Sequence, residues 1–260
     1  MKIITIIGLI IFSLSLHAGE FEDDKKSCTE GDTTGCYNLG VDYRDGIETK
    51  VDNQKALKFF HIACDKGMTE GCFNIGSLYF NGTGLKADMS KAEIYFSKAC
   101  DKDYAMACYG LGTIEVRGAK DFNKMDRYFS KACDLNSSEG CKMAGLLYHD
   151  EKIKKVDLKK AFSFYTKACE LGDALSCNSV GVFYDMGTGV EQDYAKALQP
   201  YKKSCDGNYA EGCTNLGTLY IFGRGTEKNK TKALELFKKG CNGGSKKGCK
   251  GYKIFSGIKK

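Results

Sequence analysis

The chain has 260 residues, 42% of them hydrophobic and 28% charged, with a single proline and a formal net charge of +6. That apolar fraction excludes a largely disordered chain, and one proline excludes a linker-rich one. The positive charge comes from lysines dispersed along the sequence, with no basic block interleaved with aromatics, so nucleic acid is not an expected partner.

In chain order, the first element is an export signal. Lys2 supplies a positive start, Ile3 to Leu16 form an apolar run, and Ala18 is a small residue suited to cleavage. The run is shorter than the roughly 20 residues that span a bilayer core, so stable membrane insertion is not expected. Residues 1–18 therefore read as a signal peptide, and the product as exported, periplasmic or secreted. Residues 19–35 follow as a short polar cap ("EFEDDKKSC").

From there the sequence is periodic. Its 14 cysteines form pairs whose members lie eight positions apart: Cys28/Cys36, Cys64/Cys72, Cys100/Cys108, Cys133/Cys141, Cys169/Cys177, Cys205/Cys213 and Cys241/Cys249. The second cysteines open six repeats, at 36–71, 72–107, 108–140, 141–176, 177–212 and 213–248, and residues 249–260 form a C-terminal cap. Apolar residues recur at spacings of three and four in both halves of each repeat, which predicts two amphipathic helices.

The recurring residues have local reasons. A glycine four positions after each opening cysteine (Gly40, Gly76, Gly112, Gly145, Gly181, Gly217) predicts a close helix crossing, since glycine within a helix costs about 1 kcal/mol against alanine. A tyrosine three residues later, broken only by Glu115, suits the edge of a helix pair with its hydroxyl toward water. Asp52, Asp88, Asp121, Asp157, Asp193 and Asn229 are N-cap residues for the second helices. Small residues four positions on, with Met125 the exception, permit tight packing. The third repeat has a shortened loop ("VRGAKD"), and Pro200, inside a second helix, predicts a kink. In the tail, Tyr252, Phe255 and Ile258 are expected to lie on the last repeat.

Each cysteine pair brackets a turn rich in Gly, Asp, Asn or Ser between antiparallel helices, which brings two Cα atoms within disulfide reach. Closing so short a loop contributes about 2.5 kcal/mol in the chain-entropy model. Metal binding would need sets of four ligands from close cysteine pairs or histidines, and neither arrangement is present. No metal and no cofactor is expected, and seven disulfides imply an oxidising compartment.

Repeats with the pattern "LG", two residues, Tyr, then a "GTG" loop, "D", three residues, "A" and a closing "KAC" resemble Sel1-like repeats, relatives of the tetratricopeptide repeat. With the cysteine spacing added, the chain resembles the Helicobacter cysteine-rich proteins. The resemblance implies an all-α, right-handed α/α superhelical solenoid stapled by disulfides, with a concave inner face. It also implies penicillin binding and weak β-lactamase activity. Serine β-lactamases use Ser-x-x-Lys, Ser-Asp-Asn and Lys-Thr-Gly. The chain has one Ser-x-x-Lys, at Ser256 and Lys259 in its last residues, and neither other motif; catalytic residues are therefore unassigned. His61 and His149 lie far apart in sequence and read as surface or edge residues.

Binding on the concave face is the leading expectation, with a peptide, a protein or a cell-wall fragment as partner and β-lactams as the enzymatic alternative. In stacked hairpins the first helices line that face, so Asn38, Asn74, Ser179 and Asn215 are candidate ligand-binding residues. A carboxamide can both donate to and accept from a peptide backbone. The same asparagines could instead tie neighbouring helices together. Arg44 and Arg117 are candidates for recognising carboxylates, or are solvated charges.

Overall fold

The computed structural model of the chain describes residues 20–118, 121–151 and 156–257. The export signal, Ile258 and Lys259 lie outside the described residues. The chain divides into two compact units, one running to Ile114 and the other starting at Glu115.

The first unit holds α1 (Glu20–Thr29), α2 (Thr33–Asp45), α3 (Asn53–Asp65), α4 (Thr69–Asn81), α5 (Met89–Cys100) and most of α6 (Ala105–Arg117). The second holds the end of α6 and α7 (Phe122–Asp134), α8 (Ser138–His149), α9 (Leu158–Glu170) and α10 (Ala174–Met186). It continues with α11 (Tyr194–Asp206), α12 (Ala210–Phe222), α13 (Lys230–Asn242) and α14 (Lys246–Ser256). The fold is an all-helical repeat solenoid. Even-numbered helices are the first of each hairpin, odd-numbered ones the second.

First helices begin three residues upstream of the cysteines that open the repeats in the sequence reading. Cys108, Cys141 and Cys177, for example, do not start α6, α8 and α10 but lie inside them, after starts at Ala105, Ser138 and Ala174. At four of the first helices a side-chain cap marks the start, while α4 and α12 start in the same register without one. Asp32 caps α2 by accepting from the backbone N–H groups of Thr34 and Gly35, and Ser137, Asp173 and Ser245 do the same for Gly140, Ser176 and Gly248. A cap satisfies orphan donors of the first turn and is worth about 1 kcal/mol. Each cysteine falls at the end of the first turn, and its partner near the end of the preceding helix.

All seven expected pairs are disulfides, with Cα atoms 4.4–4.8 Å apart. The sulfurs of Cys108, Cys141 and Cys177 also lie 3.7, 3.7 and 3.4 Å from the carbonyl oxygens of their own partners, Cys100, Cys133 and Cys169. A bridged sulfur has no proton to donate, so these are packing contacts across a closed loop, not thiol hydrogen bonds. Cys108, Cys141 and Cys177 are buried to within 2% of full burial, which makes them interior staples and removes them from any ligand-facing surface.

Second helices start where expected. The side chains of Asp52, Asp88, Asp157, Asp193 and Asn229 accept from the backbone of the residue three positions on, and Asp121 from Asn123 and Lys124. That third residue is a lysine whose ammonium lies 4.3–5.0 Å from the centre of the first-helix tyrosine in four hairpins: Lys55 over Tyr43, Lys91 over Tyr79, Lys160 over Tyr148 and Lys232 over Tyr220. Each such contact adds about 0.5–1 kcal/mol and fixes the hairpin's open end.

The core of a hairpin is a glycine pressed on an aromatic ring. A Cβ added at Gly40, Gly76, Gly145 or Gly181 would lie 2.4–2.8 Å from the ring of Phe60, Phe96, Tyr165 or Tyr201 respectively. Ala56, Ala92, Ala161, Ala197 and Ala233 are fully buried beside them, and Met125 fills the same position in the third repeat despite its shortened loop. Gly225 in the "FGRG" loop has φ +64°, and a Cβ there would meet the backbone N of Ala195 at 2.4 Å, so this loop closes onto the preceding second helix.

One further local expectation changes. The edge tyrosine of α8 does not reach water: Tyr148 is buried, and its hydroxyl donates to Asp126 at 2.6 Å. α11 runs as one helix through Pro200. Its ring takes the place of the aromatic that stacks on the first-helix tyrosine in other hairpins, as Phe59 does on Tyr43, Tyr95 on Tyr79 and Phe164 on Tyr148. Tyr184, without that partner, turns edge-on to Phe162. In the last helix Tyr252 and Phe255 pack on the Ile221–Phe237 cluster as expected.

Candidate functional site

In the first compact unit, the candidate residues sit on successive first helices. Asn74 on α4 is only 7% exposed. Its oxygen accepts from Arg44 Nη1 on α2 at 2.9 Å, and its nitrogen donates to the Tyr37 hydroxyl at 3.3 Å. Arg44 also donates through Nε and Nη2 to Asp45 at 2.7 and 2.6 Å, a charge-assisted pair that holds the Asp45 carboxyl low. Both residues thus engage neighbouring helices. Asn38 lies apart from them and donates to Asp24 on α1 at 3.1 Å.

Beside Asn38 is a cleft of about 450 Å³ lined by Glu20, Asp23, Asp24, Asn38, Val41 and Asp42. Asp42 is 7% exposed, and its Oδ2 is buried with no hydrogen-bond partner. Burial, followed by the nearby charges of Asp24, Glu48, Glu20 and Asp45, raises its pKa to about 6. Asp42 belongs to no recurring polar pattern in the sequence, and the candidate residues named there do not include it.

In the second unit, Asn215 on α12 donates to Asn178 on α10 at 2.9 Å, so its carboxamide also bridges two first helices. Ser179 bonds back to the Leu175 carbonyl of its own helix at 3.2 Å. Arg117 lies at the exposed end of α6. The candidates of this unit are not gathered into one pocket.

A separate cleft of about 250 Å³ in this unit is lined by Leu198, Gln199, Lys202, Cys205 and Asp206 of α11, Leu216 and Tyr220 of α12, and Lys232 and Leu236 of α13. In the preceding hairpin the corresponding space holds Phe162, which packs on Phe183 and Tyr184. Around this cleft Leu198 stands where Phe162 would be, and Leu236 where other hairpins carry an aromatic. The result is an apolar recess with Gln199, Lys202, Lys232 and the Tyr220 hydroxyl at its polar edge; Lys232 donates to that hydroxyl at 2.7 Å. An apolar recess with a few convergent polar groups is the usual form of a ligand site.

The histidines pair with rings. His61 sits edge-on to Tyr95, and burial lowers its pKa. His149 contacts Tyr165 and Phe183. Ser256 Oγ donates to the Lys253 carbonyl at 3.4 Å.

Stacked helical hairpins with periodic caps and glycine–aromatic crossings define a tetratricopeptide-like repeat protein. The chain belongs to the Sel1 repeat family, whose model matches residues 33–68, 69–104, 127–137, 138–173, 174–209 and 210–245. Among solved structures it is similar to c5321, described as a protective antigen of uropathogenic Escherichia coli with an SLR fold. The identity is 29% and the TM-score 0.83, over 91% of this chain and 52% of that one. The chain thus spans about half the length of that protein. It is also similar to a Sel1 repeat protein from Oxalobacter formigenes, at 23% identity and TM-score 0.68, over 85% of this chain and 99% of that one. Helicobacter pylori cysteine rich protein B shares 36% identity over 50% of this chain and 93% of its own, with a TM-score of 0.41. No curated protein matches the chain.

Proposed function

We propose that the chain is an exported scaffold that binds a peptide or protein segment, with the recess between α11, α12 and α13 as its contact point. The supporting observation is that recess: an apolar lining of Leu198, Leu216 and Leu236 with Lys202 and Lys232 outnumbering the one acid, Asp206. This arrangement suits an apolar side chain next to a carboxylate, such as the free C-terminal residue of a peptide or of a cell-wall stem. Export rests on the apolar N-terminal run and on disulfides that need an oxidising compartment. The i, i+8 cysteine spacing also supports placing the chain with the Helicobacter cysteine-rich proteins.

The asparagines and Arg44 enter this reading as the groups that hold first helices in line, since each is engaged by a neighbouring helix. Hydrolysis of β-lactams gains no support from Ser256, whose hydroxyl is directed at its own helix.

The test is an NMR titration of the oxidised protein with acetyl-Gly-Gly-Leu, its C-terminal amide and a soluble muropeptide. Binding of a free carboxylate at the recess shifts resonances of Leu198, Leu216 and Leu236, and Leu236→Phe, which refills the space, lowers affinity at least tenfold while leaving the fold intact. Shifts elsewhere only, equal binding by Leu236→Phe, or nitrocefin turnover that follows the pure protein would overturn the proposal.

A further inference from the structure

Counting from the cysteines places the two terminal helices in the common register. α1 precedes Cys36 as α3 precedes Cys72, so it is a second-type helix, and α14 carries Cys249 as α2 carries Cys36, so it is a first-type helix. Among the described residues no helix precedes α1 to complete its hairpin, and none follows α14.

Asp24, Glu20 and Lys253 stand at contact positions where no other repeat carries a charge, and Lys250 at one that is also lysine in α8, at Lys142. Four residues before the second-helix cysteine stands the buried ring that meets the glycine, such as Phe60 or Tyr201; in α1 that position is Asp24. Eight before it stands the buried Ala56 or Ala197; in α1 it is Glu20. On the first-helix side, the glycine position four after the cysteine is Lys253 in α14, and the position one after it, where Tyr37 packs on Phe60, is Lys250. Both lysines are exposed, and the neighbouring Ile254 is 58% exposed. The unpartnered face of α1 is acidic and that of α14 is basic, at positions that meet one another in a complete hairpin.

Asp42 fits the same register. Its equivalents, Leu78, Leu147, Phe183 and Leu219, are buried and apolar. In α2 the position holds a buried carboxylate with an unpartnered oxygen, on the cleft that Glu20, Asp23 and Asp24 share. When ionised, a carboxylate that deep gains from a nearby positive charge.

We propose that α14 of one copy docks on α1 of a second copy, completing a hairpin between chains in which Lys250 and Lys253 face Asp24 and Glu20. The contact is head-to-tail, so it joins two different surfaces and leaves each copy a free face for a further one. The occupant is a second copy because this chain's own last helix supplies the complementary charges at the matching positions.

The sign of the salt dependence separates this from general electrostatics. A net charge of +6 makes copies repel, most strongly at low salt. Docking through opposite local charges does the reverse. The experiment is sedimentation velocity of the exported, oxidised chain at about 0.02 M and 0.5 M salt over a range of concentrations. Expected is a mass that rises with concentration at low salt and falls back to the monomer at high salt. Asp24→Lys alone and Lys253→Asp alone each abolish the rise. The double variant restores it, and so does an equimolar mixture of the two single variants, because each then supplies a complementary face to the other. A chain that stays monomeric at low salt overturns the proposal, even if its acidic cleft captures an oligolysine probe. So does association that both single variants retain, or that neither the double variant nor the mixture recovers.

Discussion

Asp42 carries a cost that can be measured. Its carboxyl titrates near 6 in the folded chain against an ordinary 3.8, chiefly because burial strips its hydration. The folded state therefore holds the proton more tightly than the unfolded one. Stability falls as pH rises from about 4 to about 6, and above that the ionised group costs on the order of 3 kcal/mol. Asp42→Asn, close in shape to the protonated acid, should exceed the wild type in stability at pH 7 by about that amount. The gap should close by pH 4, as read by denaturant unfolding of dilute protein at both pH values. A constant gap would mean that shape, and not charge, separates the two. The residue is legible in principle: aligned on the cysteines, it is the one carboxylate in an apolar column. A ladder of like asparagines points elsewhere, because what repeats stands out before what departs. Those asparagines hydrogen-bond helix to helix, a use of the carboxamide that sequence cannot distinguish from ligand binding.

Among the elements, the helix pairs are the most readable part of the chain, since caps, glycines and small residues recur with the period. The starts of first helices are less so. The cysteines mark the period, as Cys108, Cys141 and Cys177 do, yet the helices around them begin three residues earlier. Asp32, Ser137, Asp173 and Ser245 cap four such starts, whereas α4 and α12 start in the same register with no side-chain cap bond. Asp, Ser and Asn are turn residues as well as caps, and sequence alone favours the turn. Pro200 has a second effect besides its missing N–H: it removes a stacking ring from Tyr184. The glycine crossing supports a graded prediction. A methyl at Gly181 would lie 2.4 Å from the ring of Tyr201, which is 1% exposed and anchored through its hydroxyl to Asp185 at 3.1 Å. At Gly217 the same methyl would be 3.1 Å from Phe237. Overpacking of a fixed ring costs about 1–3 kcal/mol. Gly181→Ala should therefore lose about 2–3 kcal/mol and Gly217→Ala about half as much, in parallel chemical denaturation curves. Equal losses would show that lost backbone freedom, and not the crossing, is what the glycines serve.

At the scale of the molecule, the cysteine spacing discloses the repeat and the fold together, because a covalent link every hairpin leaves few other ways to arrange the chain. The recess of the second unit is less legible: Leu236 stands where four other repeats carry a ring, and the space this leaves is visible only once the neighbours are in place. Stability in such a protein is set between neighbouring hairpins, and this can be tested through one staple. Cys205 and Cys213 join the end of α11 to the start of α12, and both are buried. Replacing both with alanine removes a short-loop constraint worth about 2.5 kcal/mol in the chain-entropy model. In a nearest-neighbour array that loss stays local. Hydrogen exchange should show opening free energies of α11 and α12 falling by about 2–3 kcal/mol. Those of α2 to α5, in the other compact unit, should stay within error of the wild type. A uniform fall across all helices would instead mean that the chain unfolds as one cooperative body, and that each staple stabilises every repeat.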